Sequence, residues 1–317
     1  MIGIDVSKES LSVCAWDAQA QRVRWQLEVA NSEEGVRGLL ARTEEGEPWA
    51  LEPTGRYSEE VARQGLAEGR QVLVAPPRAA KQFLSSVHPR AKTDRLDARG
   101  LALYASSVAL KPYPLKSARM DQLSQLLAAR KAMAKSLAAF RQQRESLPRA
   151  RAHVEAAEQA LAQQVKVLDR ELAHLARQEP EVQRLQQVPG IGPVSAAALV
   201  VRLKSTQFAS YDQFVAYVGL DVRVRQSGQR KGSLGLSRHG DAELRRLLYC
   251  CAQASLRTKD SPFAQQYERE REKGLASTQA LCAVARKMAK VAWALVRSGQ
   301  DYDPARVYAP RPLDTKP

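Results

Sequence analysis

With 317 residues, 44% of them hydrophobic and 26% charged, the chain is long enough for two globular domains and too apolar to be disordered throughout. A formal net charge of +15 and a pI near 9.9 suit a polyanionic partner such as nucleic acid, because bound lysines and arginines release condensed counterions. No apolar run approaches the roughly 20 residues needed to span a bilayer, and the start does not read as a signal peptide, which argues against a membrane protein. Cys14, Cys250, Cys251 and Cys282 form no CxxC pair and read as reduced thiols of a cytoplasmic protein.

The charge is unevenly spread. Residues 1 to 50 hold 5 basic and 9 acidic side chains, and the remainder 44 basic and 25 acidic. That asymmetry fits acids gathered for metal and a separate surface for phosphates.

The opening, MIGIDVSKESLS, places Asp5 near the end of a short apolar strand. Residues 2–6, 11–16 and 23–29 are short, rich in β-branched or aromatic residues and separated by turn-formers, which predicts an antiparallel meander of three strands. A helix over 33–43 follows, then a strand over 48–52 ending at Glu52, broken by Pro53, Thr54 and Gly55. A helix over 57–68 stops at Gly69, and a strand over 71–75 is closed by Pro76 and Pro77. Asp94 and Asp97, three residues apart, run into the helical ARGLALYASS and share one face. This order of elements is that of the ribonuclease H-like fold, in which acids from the first and fourth strands meet acids from a later helix. Hard cations such as Mg²⁺ prefer oxygen ligands, and two of them about 3.5–4 Å apart stabilise both the attacking and leaving oxygens of a phosphodiester. Any one of Asp5, Glu52, Asp94 and Asp97 reads equally well as a surface acid; the four in this order do not. The IGIDVSK opening also resembles a sugar-kinase phosphate loop, but no later Gly-rich adenosine motif accompanies it.

The prolines of PYPLKS, residues 112–117, mark the end of a first domain, 1–111. A helical region over 112–180 follows, with long helices over 119–147 and 149–178 parted at Pro148. In the second helix Val154, Leu161, Leu168 and Leu175 recur every seven residues, with Val165 and Leu172 between them, which is a coiled-coil period. A dimerising coil and a hairpin within the chain satisfy it equally. A third domain spans 181–300. Its VPGIGPV stretch resembles a helix-hairpin-helix turn, in which the backbone at Gly190 and Gly192 holds a phosphate at a helix start. In DVRVRQSGQRKGSLGLSRHGD, Ser227 and Gly228 lie in a basic loop with Arg223, Arg225, Arg230, Lys231 and Arg238. The cations suit DNA phosphates; Ser227 reads as either a phosphate ligand or a nucleophile, and Ser233 and Ser237 compete with it. Amphipathic helices are expected over 241–256 and 277–298, and 301–317 reads as a loose tail.

The joint order of IGIDVSK, LEPTGRY, KTDRLDA, VPGIGPVSAAAL, QSG and LSRHGDAELRRLL resembles the DEDD insertion-sequence transposases, related to Piv-type DNA invertases and understood as bridge-RNA-guided serine recombinases. The resemblance covers residues 2 to about 300. It implies a RuvC-like domain with the tetrad Asp5, Glu52, Asp94 and Asp97 around Mg²⁺, a coiled-coil middle, and a mostly helical C-terminal transposase domain whose catalytic serine is Ser227. It also implies donor and target double-stranded DNA, a noncoding bridge RNA, and a homo-oligomer, dimer or tetramer, as partners. A Holliday-junction-type nuclease using water, and a non-enzymatic DNA-binding protein, are the alternatives that the residues leave open.

Overall fold

The computed structural model describes residues 1–308 except 54, 88–92, 228–229 and 259; for residues 78, 224–227 and 230–234 it describes the backbone alone. The chain divides into two compact units, Met1–Leu115 and Lys116–Pro317. The first holds 15 basic and 15 acidic residues and the second 34 and 19, so the whole net charge lies in the second.

Unit 1 is an α/β layer structure. Its strands are β1 (Ile2–Val6), β2 (Ser10–Asp17), β3 (Arg22–Ala30), β4 (Trp49–Leu51), β5 (Val72–Val74) and β6 (Lys111–Pro112), in spatial order β3-β2-β1-β4-β5-β6. β1, β2 and β3 form the expected antiparallel meander; β4 and β5 add on parallel to β1, and β6 closes the edge antiparallel to β5. The arrangement is compatible with a ribonuclease H-like fold. The helices are α1 (Glu33–Arg42), α2 (Arg56–Ala67), α3 (Pro77–Val87) and α4 (Asp94–Ser107). Strand alternation sorts β1 between two faces. Ile2 and Ile4 are fully buried in a core with Val36 and Leu39 of α1 and Val61 of α2. Gly3 and Asp5 face the other way, toward α4: a Cβ on Gly3 would overlap the Ala98 carbonyl oxygen and come within 2.5 Å of the Ala102 nitrogen.

Two elements of this unit are absent from the sequence reading. The Pro76–Pro77 pair closes β5 as expected, but Pro77 also opens α3, since proline is well suited to a first helical position. β6 lies in the stretch read as a stiff connection; as an edge strand it tolerates Pro112, and its pairing continues through Tyr113 N, which donates to Val72 O at 2.8 Å.

Unit 2 is mostly helical. Its helices are α5 (Ala118–Ser146), α6 (Arg151–Ala176), α7 (Pro180–Gln186), α8 (Pro193–Ser205), α9 (Tyr211–Val218), α10 (Ala242–Ser255), α11 (Pro262–Glu272) and α12 (Ser277–Ser298). α5 and α6 form a hairpin within the chain, bridged by Arg130 with Asp169, Arg141 Nε with Glu158 Oε1 at 3.1 Å and Arg144 with Glu158 Oε2 at 3.2 Å. Of the heptad residues Val154 and Leu172 are buried and the other four half-buried. Leu123, Leu172 and Ala176 enter the same core as Leu199, Phe214, Leu248 and Met288, so the hairpin packs with the C-terminal helices as one body.

The stretch read as a basic loop is instead an antiparallel ribbon of β7 (Val222–Ser227) and β8 (Arg230–Leu236). The alternation Val222-Arg223-Val224-Arg225 supports it, although the polar and glycine content masks the strand period. At its foot Ser237 Oγ donates to the Asp221 carboxylate. Gly240 passes so close to α9 that a Cβ there would overlap the Tyr217 carbonyl and stand 2.8 Å from the Gly219 nitrogen. α11 is likewise absent from the sequence reading.

The expected loose tail is docked over residues 302–308. Val307, in a 3₁₀ turn over Pro304–Val307, is 5% exposed in the unit's core. The Tyr308 ring lies 4.7 Å from Arg269 Cζ and 4.6 Å from Lys287 Nζ, and burial pushes its hydroxyl up to about 12. Residues 309–317 lie outside the described residues.

The Gly3 contact yields a direct test. Gly3→Ala is expected to destabilise the chain by about 1–3 kcal/mol through overpacking against α4. Gly38→Ala, whose added Cβ meets nothing within 4 Å, leaves stability unchanged or slightly higher. Thermal unfolding of the two full-length variants checks this, and equal melting temperatures would overturn the account of Gly3.

Candidate acidic centre and basic ribbon

Asp5 lies in β1, two residues beyond Gly3 and on the same face. Because Gly3 lets the α4 backbone rest on that strand, the beginning of α4 is carried to Asp5. Thr93 caps the helix by accepting from Leu96 N at 3.3 Å, which places Asp94 and Asp97 in the first turn, where the helix dipole favours carboxylates. Gln26 Nε2 on β3 donates to Arg95 O at 3.1 Å and ties that acidic turn to the sheet. As a result one carboxylate oxygen each from Asp5, Asp94 and Asp97 lies within 4.8 Å of the others. Asp5 and Asp97 are half-buried and Asp94 is exposed, so the group is held by the fold yet open to solvent.

Glu52 follows directly on β4, where Ile4 pairs with Leu51; continuing that register sets Glu52 beside Asp5. It is half-buried and does not join the group of three. Three clustered carboxylates present hard, anionic oxygen donors, the donor chemistry that divalent cations such as Mg²⁺ or Mn²⁺ prefer. The sequence pattern marks the three acids; it does not mark Gly3, Thr93 or Gln26, which hold them in place. The Gly residue two before the strand acid is the one local signal that points to a helix crossing there.

In unit 2, Ser227 ends β7 opposite Arg230 of β8. The side chains of Ser227, Arg225, Arg230 and Lys231 lie outside the described residues. Arg223 is exposed on β7, and Arg238 is exposed beyond β8 with a left-handed φ of 55°. The two glycines of VPGIGPV behave differently. Gly190, at φ 88°, faces α10: a Cβ would overlap the Cys251 carbonyl oxygen and stand 2.7 Å from the Ser255 nitrogen. That side of Gly190 is therefore filled by the protein itself. Gly192 is exposed at the N-cap of α8, with open space where a Cβ would go. Only Gly192 of the pair offers open space to a phosphate.

Comparison with known proteins finds family models over both parts of the chain. A family model described as "Transposase", of the DEDD IS110 type, matches residues 2–148, and one described as "Transposase IS116/IS110/IS902 family" matches residues 182–268. The chain is similar to the pilin gene-inverting protein of Moraxella bovis, with 25% identity covering 95% of this chain and 97% of that one. It is similar to the insertion element IS116 44.8 kDa protein of Streptomyces clavuligerus, with 26% identity covering 96% of each. It also resembles the transposase of insertion sequence element IS1328 from Yersinia enterocolitica, at 31% identity over 44% of this chain and 42% of that one. The first family model spans the strands and helix that carry the acids, the second spans the ribbon, and two relatives align over nearly the full length; the chain belongs to the DEDD, IS110-type family of insertion-sequence transposases.

Proposed function

We propose that the protein cuts and rejoins DNA strands with two sets of groups, a carboxylate centre in unit 1 and a nucleophilic serine on the ribbon of unit 2. The observation that carries this reading is the convergence of Asp5, Asp94 and Asp97 within 4.8 Å in a chain whose overall charge is +15. Acids gathered at one point of a basic, DNA-directed protein suit metal ligation better than surface solvation. Asp5, Asp94 and Asp97, with Glu52 beside them, would hold Mg²⁺, which when bound supplies charge neutralisation at a phosphodiester.

Ser227 is the attacking group. Its Oγ forms a bond to phosphorus as the bond from phosphorus to the leaving deoxyribose oxygen breaks; the serine proton is lost and the leaving oxygen gains one. The phosphoserine link conserves the energy of the broken bond, so religation to a new end needs no ATP. Arg223, Arg225, Arg230, Lys231 and Arg238 neutralise phosphates around the reacting strand, and the first turn of α8, which Gly192 opens, offers its backbone N–H groups beyond Pro193. Following the family resemblance, sequence choice is assigned to a noncoding RNA that pairs with donor and target DNA. The α5–α6 hairpin offers its outer face to a second copy in a dimer or tetramer. No helix among the described residues is long and apolar enough to cross a membrane.

Incubation with element-junction DNA, the flanking RNA and Mg²⁺, followed by denaturing electrophoresis, tests the reading. A protein–DNA adduct is expected that disappears in Ser227→Ala, while DNA binding by that variant stays within about twofold. Strand exchange surviving in Ser227→Ala would overturn the nucleophile; cleaved ends without any adduct would make the protein a water-using nuclease. Mg²⁺ at about 100 times its dissociation constant should stabilise the folded chain by roughly 2.7 kcal/mol, read as a rise in melting temperature that EDTA reverses. Asp5→Asn and Asp97→Asn should each shrink that rise, and an unchanged rise in both would remove the carboxylates from the ion site.

A further inference from the structure

α12 carries its apolar side chains on one face, where Val284, Ala285, Met288, Ala289, Ala292 and Leu295 are buried in the core of unit 2. The opposite face has a different composition. Arg286, Lys290, Trp293 and Arg297 stand at i, i+4, i+7 and i+11, and so form one stripe about three turns long. Tyr211, from the start of α9, completes it: its ring meets that of Trp293 edge-on, with centroids 6.1 Å apart and planes at 75°. Lys290 Nζ lies 4.2 Å from the Tyr211 ring centroid and Arg297 Cζ 5.1 Å from that of Trp293. Tyr211, Trp293 and Lys290 are half-buried and Arg297 is exposed. One acid, Asp212, reaches the stripe, 3.6 Å from Lys290.

Cys282, one turn before Arg286 on the same face, feels Arg238 and Arg245; burial pushes its thiol up while these two cations pull it down. Arg238 follows β8, its N–H donating to Gly219 O, and Arg245 on α10 donates to Val218 O. Two further cations thus act on the beginning of the same helix face.

From this arrangement we infer that the α9–α12 face is a track for an unpaired nucleic-acid strand, with bases stacking at Tyr211 and Trp293 and phosphates meeting Arg286, Lys290 and Arg297. Three cations against one acid, in the unit that holds all of the chain's net charge, favour a polyanion. The rings distinguish which one. A duplex turns its base faces inward, whereas a single strand exposes them to aromatic rings and guanidinium planes. The shared chemistry is that of an unpaired strand, whether displaced DNA or RNA. The inference deepens the proposed function by naming what this face holds while strands are exchanged, and it rests on that reading only for its role, not for the binding itself.

Full-length protein, free of divalent ions so that no chemistry proceeds, is titrated into a fluorescein-labelled 15-nucleotide DNA, an RNA of the same sequence, and the matching DNA duplex. Trp293→Ala is expected to weaken single-strand binding by about tenfold or more and duplex binding by less than about twofold, since stacking accounts for about 1–3 kcal/mol per base. Because loss of a half-buried tryptophan can disturb folding, Arg286→Gln serves as a second variant. It should lower the slope of log affinity against log salt for single strands by about 0.7, the value for one phosphate contact. Loss confined to the DNA strand or to the RNA strand supports the track and identifies its source. No loss in either variant, or equal loss on duplex and single strand, overturns it and leaves the cations as braces between α9 and α12. Binding here is measured without cleavage, so an absent Ser227 adduct would count against the catalytic reading alone.

Discussion

The acidic centre depends on α4 lying directly on β1 at Gly3. A strand and a helix normally keep the distance that their side chains impose, and one glycine removes that spacer. The Ala98 carbonyl and the Ala102 backbone then occupy the position of the missing Cβ, and small residues on the helix face, Ala98 and Ala102, allow the approach from the other side. Once the helix is held there, strand alternation decides the rest: Asp5, two residues on, comes to lie under the first turn. The apolar partners of this arrangement are on the far side of the sheet, where Ile2 and Ile4 meet α1 and α2. Core and site are thus set by the same five-residue strand, its odd positions serving one and its even positions the other.

The parts of this architecture that are legible in sequence are those whose signal is local. The meander shows because three short apolar stretches alternate between turn residues, and α12 shows, to the residue, because its apolar period ends at Gly299. The four acids stand out because their order along the chain matches strand ends and a helix start. The distance between Asp5 and Asp97 is a different kind of fact, since it comes from residues 92 positions apart meeting across Gly3. Gly190 illustrates the limit from the opposite direction. Its place in VPGIGPV suggests a phosphate turn, but its φ of 88° and its closeness to Cys251 and Ser255 of α10 show a glycine required by packing. That reason lies about sixty residues away and leaves no mark nearby. Similarly, Pro77 is an equally good end to a strand and beginning to a helix, and only the packing of α3 on α4, where Leu84 fills the space beside Gly100, decides for the helix.

The ribbon of unit 2 is held at its foot in much the same way as the acids are held in unit 1, by backbone brought close where a side chain is missing. Gly219 ends α9 in a left-handed conformation, Gly240 passes against the Tyr217 carbonyl, and Asp241 then caps α10 while pairing with Arg202 at 3.2 Å. Arg245 donates to Val218 O at 2.9 Å and links α10 back to the end of α9. β7 and β8 consequently rise from a fixed base even though, among the described residues, they pair only with each other, a two-stranded ribbon that would be marginal alone.

The division of charge gives the two units complementary electrostatic tasks. A cluster of three carboxylates repels a phosphodiester, so unit 1, with equal numbers of acids and bases, cannot draw DNA to its own site by long-range attraction. Association must rest on unit 2, where 34 basic residues face 19 acidic ones, and the salt dependence of binding belongs there as well. Divalent cations held there would change the balance in unit 1, because each would cancel two of the carboxylate charges and so lessen the repulsion of a phosphate. On these charges the basic unit would hold nucleic acid without any ion, while the acidic centre would need its divalent ions before a phosphate could approach it.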